Sequence, residues 1–464
     1  MVSSRRPERP FGPASFAQRL FGALGWPQDS RFVVAYSGGC DSAVLLDLCA
    51  QVLAPANLRV IHVNHGLQAD SDAWAGFCRN ECARRQIPCD IVRLRVPESG
   101  DVGLEAAARE ARYEALASRL QPGEVALTAH HLEDQAETFL LRLMRGAGPL
   151  GLGAMQARRP LGVGWLARPL LSDSRQQIKN YARAARLVWL DDPSNADTRF
   201  ARNWLRHRLL PILRQRWPQT DRLVARAAGH QAGVAALLAE YAAQDLAQIL
   251  HPDSDRLQCE PLSHYSAGRL SNLLRYWLSG MGVAMPAARQ LQGLVHDLRS
   301  QSLRPRYVWA GVDLRRYRGS LYRVAPGPPP SLRPLAWHWP DPLAVPELGI
   351  RLRGLTVQGQ GISQNRIGAL TVRMRMGGER FRYAGHLRTL KKMLQERGMP
   401  PWERARLPLL YAGPELVAVA GLWVATPFAA APEEAGLQVI VEPLQPPTAG
   451  SERDTVAGVP RSAD

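Results

Sequence analysis

Apolar residues recur with two different spacings in the N-terminal half of the chain. The continuous apolar run Phe32–Ala35 suits a buried strand, and residues 43–53 then place Val44, Leu45 and Leu48 on one helical face. The same succession repeats further along. Strands are predicted at 32–35, 58–65, 89–96 and from 125, and helices at 43–53, 71–86 and 103–116. Alternating strands and helices favour a parallel sheet joined by right-handed crossovers, so we expect an α/β fold.

The pattern changes beyond residue 218. Helices are predicted at 221–250 and 266–300, a β-hairpin within 304–324, a stiff proline-rich linker from 326 and a disordered tail beyond 446. These changes in pattern divide the chain into five segments, which we expect to be 1–218, 219–325, 326–350, 351–445 and 446–464.

Composition and charge narrow the class of protein. The 464 residues, 46% hydrophobic and 21% charged, suit a globular protein of several domains. The formal net charge of +17 comes mostly from arginine, whose guanidinium forks onto phosphates, and this favours a nucleic-acid partner, although solubility or contact with a membrane surface would also explain it. No apolar stretch approaches the roughly 20 residues of a membrane-spanning helix, and the N-terminus makes a poor signal peptide. We therefore expect a cytoplasmic protein.

The six cysteines match neither C-x-x-C pairs nor a disulfide framework. We interpret them as reduced and mostly buried thiols. A metal site built from Cys78, Cys82 and Cys89 stays open, although their spacing is not that of a standard zinc site.

The segment Ser37–Ser42, called the 37–42 loop below, joins the first strand to the first helix. Its sequence, Ser37, Gly38, Gly39, Cys40, Asp41 and Ser42, lacks bulk where amides at a helix N-terminus could turn toward an anion. The lysine of a Walker loop is missing, so phosphate charge would be met by amides, hydroxyls and Mg²⁺ held by Asp41. An ordinary turn with serine caps is the alternative. The full string resembles the pyrophosphate loop (PP-loop) of the ATP-pyrophosphatase superfamily.

Polar residues follow the later strands, at the edge where an open α/β sheet binds its ligands. His65 ends the second strand and is a candidate ATP contact, and Arg112 could project from its helix toward a triphosphate. Asp134 and Glu137 are three residues apart, so they share a helix face and could hold a cation or an amine. The alternative for the two carboxylates is simple compensation of the helix N-terminus.

Arginines interleave with aromatic residues between 199 and 208. Arg199, Arg202 and Arg206 alternate with Phe200 and Trp204, which suits phosphate contacts combined with base stacking. An amphipathic helix that buries its apolar side while the arginines face water would give the same pattern.

Taken in order, these motifs resemble the tRNA(Ile)-lysidine synthetase family over residues 31 to about 218, with a second matching block near the C-terminus. The stretches that carry the resemblance begin at Ser37 (S-G-G-C-D-S), His62 (H-V-N-H-G), Glu105 (E-A-A-A-R-E-A-R-Y), Thr128 (T-A-H-H-L-E-D-Q-A-E-T), Arg145 (R-G-A-G-P), Arg168 (R-P-L-L), Asp192 (D-P-S-N) and Asn203 (N-W-L-R). Asn64 and Glu133 depart from the usual form.

The resemblance implies a PP-loop ATPase domain, a helical tRNA-contacting domain and a small α+β C-terminal tRNA-binding domain. It implies ligation of free L-lysine to C2 of the wobble cytidine of tRNA(Ile) with a CAU anticodon, through an adenylated cytidine, with ATP and Mg²⁺ consumed or bound. In this scheme the 37–42 loop cradles the phosphates and Asp41 carries Mg²⁺. Asp134 and Glu137 orient the lysine amine or assist metal and proton handling, and Arg112 stabilises transferring charge.

The family's C-terminal module would contact tRNA phosphates through a basic cluster. Its members here are Arg373, Arg375, Arg380, Lys391 and Lys392. Two alternatives remain: another PP-loop tRNA-modifying enzyme such as a thiolase, which would want C-x-x-C ligands, or a tRNA-binding protein that has lost catalysis, which would not need Asp41, Asp134 and Glu137. A homodimer stays open.

Overall fold

A computed structural model describes residues 10–64, 66, 70–94, 101–192, 196–250, 256–302, 304, 306–324 and 332–444, with the backbone alone for residues 101–108. The chain separates into two compact units, Met1–Tyr241 and Ala242–Asp464. The five segment boundaries given above stay a prediction. Among the described residues, no helix is both long enough and apolar enough to cross a membrane.

The first unit is built on a six-stranded sheet, as the alternating pattern predicts. Its strands are β1 (Phe32–Ala35), β2 (Leu58–Asn64), β3 (Cys89–Arg93), β4 (Val125–Leu127), β5 (Arg158–Leu161) and β6 (Gly164–Ala167), in the order β3-β2-β1-β4-β6-β5. The neighbours from β3 to β6 pair in parallel, and β5 returns antiparallel to β6. The carboxyl ends of β1, β4 and β6 therefore meet at one edge.

Ten helices accompany this sheet along the described part of the chain. They are α1 (Pro13–Ala17), α2 (Cys40–Val52), α3 (Ser71–Arg84), α4 (Asp101–Arg119), α5 (Leu132–Met144), α6 (Pro149–Leu152), α7 (Arg175–Ala184), α8 (Ala201–Trp204), α9 (Leu210–Arg216) and α10 (Thr220–Ile249). A π-helical segment, Leu205–Leu209, joins α8 to α9. The helices predicted at 71–86, 103–116 and 221–250 are confirmed, with small shifts at their ends.

Alternate residues of the central strand face two separate cores. Phe32 and Val34 pack with apolar residues of α1, α2 and α7, whereas Val33 packs with Leu116 of α4 on the opposite face. This division follows from the two-residue period of a strand, because successive side chains point to opposite faces. Helices cover both faces of the sheet. The loops at the carboxyl ends of the strands are therefore the part of the sheet that ligands can reach.

Beyond α10, the described residues in the first part of the second unit form three helices and a four-stranded antiparallel sheet. Its elements are β7 (Leu257–Gln258), α11 (Cys259–Leu262), α12 (Ala267–Gly280), α13 (Ala288–Arg299), β8 (Arg306–Trp309), β9 (Val312–Tyr317) and β10 (Ser320–Val324), with the sheet order β7-β10-β9-β8. The helical stretch predicted at 266–300 is interrupted, because Gly282 adopts a φ of 64° and Pro286 follows. The predicted hairpin is confirmed and extends to three strands.

The remainder of the second unit is mainly antiparallel sheet. Its strands are β11 (Leu335–Trp337), β12 (Leu343–Val345), β13 (Ile350–Gln358), β14 (Ile362–Ser363), β15 (Leu370–Met374), β16 (Arg380–Tyr383), β17 (His386–Thr389), β18 (Pro408–Ala412), β19 (Glu415–Val419), β20 (Trp423–Val424) and β21 (Ala435–Pro443), and its helices are α14 (Leu390–Glu396) and α15 (Pro401–Arg404). The sheet orders are β11-β15-β18-β19-β20, β12-β13-β21-β14 and β16-β17. This is the α+β architecture implied for the C-terminal domain.

Candidate active site

The 37–42 loop forms a compact turn between β1 and α2. Gly38 adopts a φ of 85°, a left-handed conformation that favours glycine, and Leu190 donates its amide to the Gly38 carbonyl at 2.9 Å. The Ser42 hydroxyl donates to the Gly39 carbonyl at 2.9 Å. Because the first amides of a helix have no intrahelical acceptor, the start of α2 offers donors to an anion at this turn.

His131 connects the loop to the second polar cluster of the sheet edge. Its Nε2 lies 3.5 Å from Asp41 Oδ2 and 3.5 Å from Asp134 Oδ2, while Nδ1 lies 3.1 Å from Glu133 Oε2. Burial alone would lower the pKa of His131, but the charge of Asp134 and the contacts with Asp41 and Glu133 raise that pKa to about 10. At neutral pH a buried imidazolium therefore sits among three carboxylates.

As their spacing predicts, Asp134 and Glu137 lie one turn apart at the start of α5, and the structure adds that both are buried. Asp134 accepts a hydrogen bond from the His131 amide at 3.0 Å. Although burial would raise it, the pKa of Asp134 falls to about 2, chiefly because of the positive charge of His131. Glu137 is 0% exposed, and burial raises its pKa even though Arg206 opposes the change. Two neighbouring carboxyl groups thus differ in basicity.

Arg206 contacts both carboxylates of this pair. Its Nε donates to Glu137 Oε1 at 2.7 Å and its Nη2 reaches Asp134 Oδ1 at 3.2 Å. Arg206 was predicted to contact tRNA phosphate, and that stays a prediction; in the structure Arg206 pairs with two buried carboxylates. Arg202 lies beside it and donates to the Thr138 hydroxyl at 3.2 Å.

The remaining predicted site residues of the first unit are Arg112, Cys40, Arg199 and His65. Arg112 is exposed on α4. Burial and the neighbouring Asp41 raise the pKa of the Cys40 thiol to about 11, so Cys40 is a neutral thiol in the loop. Arg199 forms an exposed ion pair with Asp197. His65 lies outside the described residues.

The basic cluster predicted in the C-terminal module lies on β15, β16 and α14. Arg380, Lys391 and Lys392 are exposed. Arg373 stacks over Tyr411 with its guanidinium carbon 4.7 Å from the ring centre, and Arg375 pairs with Glu379 at 3.2 Å. Three members of the cluster are therefore presented to solvent, and two are partly engaged by the protein.

In the part of the chain that the structure describes, no group of three or more histidine, cysteine, aspartate or glutamate side chains could hold a metal ion. The hypothesis of a site built from Cys78, Cys82 and Cys89 is therefore not supported, and all six cysteines are free thiols. Asp41 nevertheless has one buried oxygen, Oδ1, that no described residue hydrogen-bonds. A lone carboxylate oxygen suits Mg²⁺, which usually completes its shell with water and substrate phosphates.

Sequence reasoning gave no role to His131 or Glu133. A histidine followed three residues later by an aspartate at a helix start was the available signal, because this spacing lets the carboxylate accept the histidine amide. The contact of His131 with Asp41 joins residues far apart in the chain, and no local pattern shows it.

A tight strand-to-helix turn at the carboxyl edge of a parallel sheet covered on both faces, with acidic side chains beside it, defines a nucleotide-binding protein of the PP-loop class. The family model described as the PP-loop domain matches residues 14–213. The models described as the TilS substrate binding domain and the TilS substrate C-terminal domain match residues 257–322 and 370–441. The chain belongs to the tRNA(Ile)-lysidine synthase family, and the resemblance carried by the sequence motifs is thereby confirmed.

Two relatives show the extent of the match. The chain is 47% identical over 424 residues to the tRNA(Ile)-lysidine synthase of Alkalilimnicola ehrlichii and 40% identical over 424 residues to that of Coxiella burnetii, in each case over 89% of this chain and 94% of the relative. Among solved structures, a U34-tRNA thiolase from Methanococcus maripaludis is similar with a TM-score of 0.39 and 15% identity, covering 47% of this chain and 77% of that one. This structural likeness is too weak to support an inference about function.

Proposed function

We propose that this chain ligates free L-lysine to C2 of the wobble cytidine of tRNA(Ile) with a CAU anticodon, in two steps that convert ATP to AMP and pyrophosphate. The observation that carries the proposal is the buried pair Asp134 and Glu137, which Arg206 binds and which His131 connects to Asp41 of the 37–42 loop. A nucleotide turn next to an acidic pocket suits a reaction that needs both a triphosphate and an amine. Family membership over most of the chain supports it.

In the first step the C2 carbonyl oxygen of the cytidine attacks the α-phosphorus of ATP and pyrophosphate leaves. The 37–42 loop would bind the phosphates through backbone amides and the Ser37 and Ser42 hydroxyls. Asp41 would hold magnesium through its unpartnered Oδ1. Bound magnesium supplies neutralisation of the triphosphate charge, and Arg112 would stabilise charge that develops during the transfer.

In the second step the ε-amine of lysine attacks C2 and AMP leaves. The amine is an ammonium at neutral pH, because its ordinary pKa is about 10.4, so it must lose a proton before it attacks. Glu137, whose pKa is raised, is the better proton acceptor of the pair, whereas Asp134, with a pKa of about 2, keeps a permanent negative charge that orients the ammonium.

The test is an assay of lysidine in digested tRNA after incubation with ATP, Mg²⁺, labelled lysine and a CAU transcript. Glu137→Gln and Asp134→Asn should abolish lysidine formation while tRNA binding stays largely intact. Glu114→Gln is the matched control, because Glu114 is exposed on α4. Unchanged turnover in both site variants would refute the roles assigned to the two carboxylates, and absence of lysidine from the wild-type reaction would refute the function itself.

A further inference from the structure

We infer that Arg109 and Arg168, which meet on Tyr113, form a phosphate-binding subsite at the same sheet edge together with Arg142, which binds the Ala154 carbonyl next to the Met155 that Arg109 contacts. The inference rests on the proposed function, because the phosphate would belong to one of its substrates or products. We call Tyr113 and these three arginines, with Arg159, the Tyr113 cluster.

Several guanidinium groups meet on one phenol. Arg168 Nη2 and Arg109 Nη2 donate to Tyr113 Oη at 3.2 and 3.3 Å. The guanidinium carbons of Arg159 and Arg109 also lie 4.9 and 5.4 Å from the centre of the Tyr113 ring. Tyr113 therefore holds three guanidinium groups close together, and their positive charges outweigh burial and lower the pKa of its phenol.

The remaining partners of these arginines are neutral. Arg168 donates to the Gln156 carbonyl at 2.6 Å, and Arg142 donates to the Gly151 and Ala154 carbonyls at 2.8 and 2.7 Å. Arg109 reaches the Met155 sulfur at 3.9 Å. Within the described ranges of the chain, none of these three arginines has a carboxylate within ion-pair distance. Arg206 differs from them, because it forms ion pairs with Glu137 and Asp134.

Among the described residues, the arginines of the Tyr113 cluster therefore have no ion-pair partner, and the charge of Asp134 reaches Arg109 only from a longer distance. Arg168 is 4% exposed, and its Nε is buried with no hydrogen-bond partner among the described residues. Desolvation and the charges of neighbouring arginines lower the pKa of both Arg109 and Arg142. Burying like charges without a counter-ion is unfavourable, and an incoming anion relieves that cost.

The position of the Tyr113 cluster fits a substrate subsite. Arg168 directly follows β6, and Thr128, which follows the neighbouring β4, donates its amide to the Ala167 carbonyl at 3.1 Å. The His130 ring lies 2.9 Å from the Thr128 hydroxyl, and Arg168, Arg109 and Asp134 all act on its charge. The cluster thus borders the carboxylate pair, at the edge where open α/β sheets bind ligands.

Phosphate is the ligand that this chemistry fits best, because guanidinium groups bind phosphate oxygens through paired donors. Two sources exist: a phosphodiester of the tRNA strand next to the modified base, or the pyrophosphate released in the first step. The same variants distinguish them.

The experiment compares wild-type protein with Arg109→Met and Tyr113→Phe, with Arg119→Met as the matched control on α4, since Arg119 is exposed and pairs with Asp90 at 3.6 Å. Binding of the CAU transcript is measured between 50 and about 200 mM salt, and inhibition by added pyrophosphate is measured separately. Thermal unfolding checks that each variant is folded. If Arg109→Met does not fold, Tyr113→Phe replaces it in the comparison, because that substitution removes a single oxygen atom.

If the Tyr113 cluster binds a tRNA phosphodiester, Arg109→Met weakens tRNA binding about tenfold and reduces the salt slope by about 0.7, the value of one single-strand phosphate contact. If it binds pyrophosphate, the slope is unchanged and the inhibition constant rises about tenfold. If neither quantity changes in the folded variants, the subsite does not exist. Failure of the proposed function is a separate outcome, because wild-type protein would then form no lysidine.

Discussion

Arg206 and Glu137 form a two-point ion pair in the buried part of the site, with Nε 2.7 Å from Oε1 and Nη2 3.0 Å from Oε2. Arg206→Met would leave the buried Glu137 with the longer contact to Arg202, at 3.9 Å, as its remaining ion pair among the described residues, so the pKa of Glu137 would rise further. We expect lysidine formation to fall about 100-fold, with KM for lysine rising, and Arg206→Lys to recover part of the loss.

The salt dependence of tRNA binding separates this role from the phosphate contact predicted for Arg206 from sequence. A residue engaged by Glu137 should leave the slope unchanged, whereas a phosphate contact would reduce it by about 0.7 to 0.9. Arg208→Met, which removes an exposed arginine from the same helical segment, is the control. A reduced slope for Arg206→Met with unchanged KM for lysine would contradict the ion-pair role.

Gly38 tests the 37–42 loop. An alanine there would need a left-handed φ of 85°, and its Cβ would lie 3.0 Å from Cys78 Sγ. Gly38→Ala should lower the free energy of unfolding by about 1 to 2 kcal/mol and raise KM for ATP. Gly39→Ala is the matched control for stability, since its Cβ would come no closer than 3.6 Å to the Ser37 hydroxyl and its φ is ordinary. Equal unfolding midpoints for the two variants would show that the turn is not strained.

The α/β core could be predicted because its signals are local. The apolar run at Phe32 and the helical spacing that follows it fix one strand and one helix, and repetition of that unit implies the parallel sheet. Asp134 and Glu137 could be paired for the same reason, because residues three positions apart lie on the same face of a helix.

Contacts between distant residues could not be predicted. Arg206 and Glu137 are 69 positions apart, and His131 meets Asp41 only because β1 and β4 are neighbours in the sheet. The arginines of the Tyr113 cluster come from α4, α5, β5 and the residue after β6, so in the sequence each one resembles a solvated surface residue. Charge balance within a site becomes visible only when these elements are packed.

Glu124 gives a pH-dependent test of the first unit. Two hydrogen bonds from Arg59, at 2.8 and 2.6 Å, join it to β2. Burial would raise the pKa of Glu124, but Arg59 and the hydrogen bond from the Gln121 amide, at 2.7 Å, together outweigh it, so the net pKa is lowered. A carboxylate with a lowered folded pKa adds stability above its unfolded pKa of about 4.3, and this is lost as pH falls through the folded value.

Glu124→Gln should therefore reduce the free energy of unfolding by about 1 to 3 kcal/mol at pH 7, and the difference from wild type should shrink below about pH 4. Urea unfolding at several pH values measures it. The exposed Glu114→Gln should show neither the loss nor the pH dependence. A deficit that stays constant from pH 7 to pH 4 would mean that packing, not the ion pair with Arg59, is what Glu124 contributes.

Lys391 and Lys392 test the C-terminal module as a tRNA-binding surface. Both are exposed at the start of α14, close in sequence to the exposed Arg380 of β16. Replacing both lysines with alanine should weaken tRNA binding by about tenfold or more and reduce the salt slope by about 0.9 for each phosphate of a duplex arm that is no longer neutralised. Turnover at saturating tRNA should stay close to wild type, because these residues lie outside the first unit. Arg375→Met is the comparison: Glu379 already engages Arg375, so its slope should change less. Equal slopes for wild type and the double variant would place the tRNA contacts of the chain elsewhere.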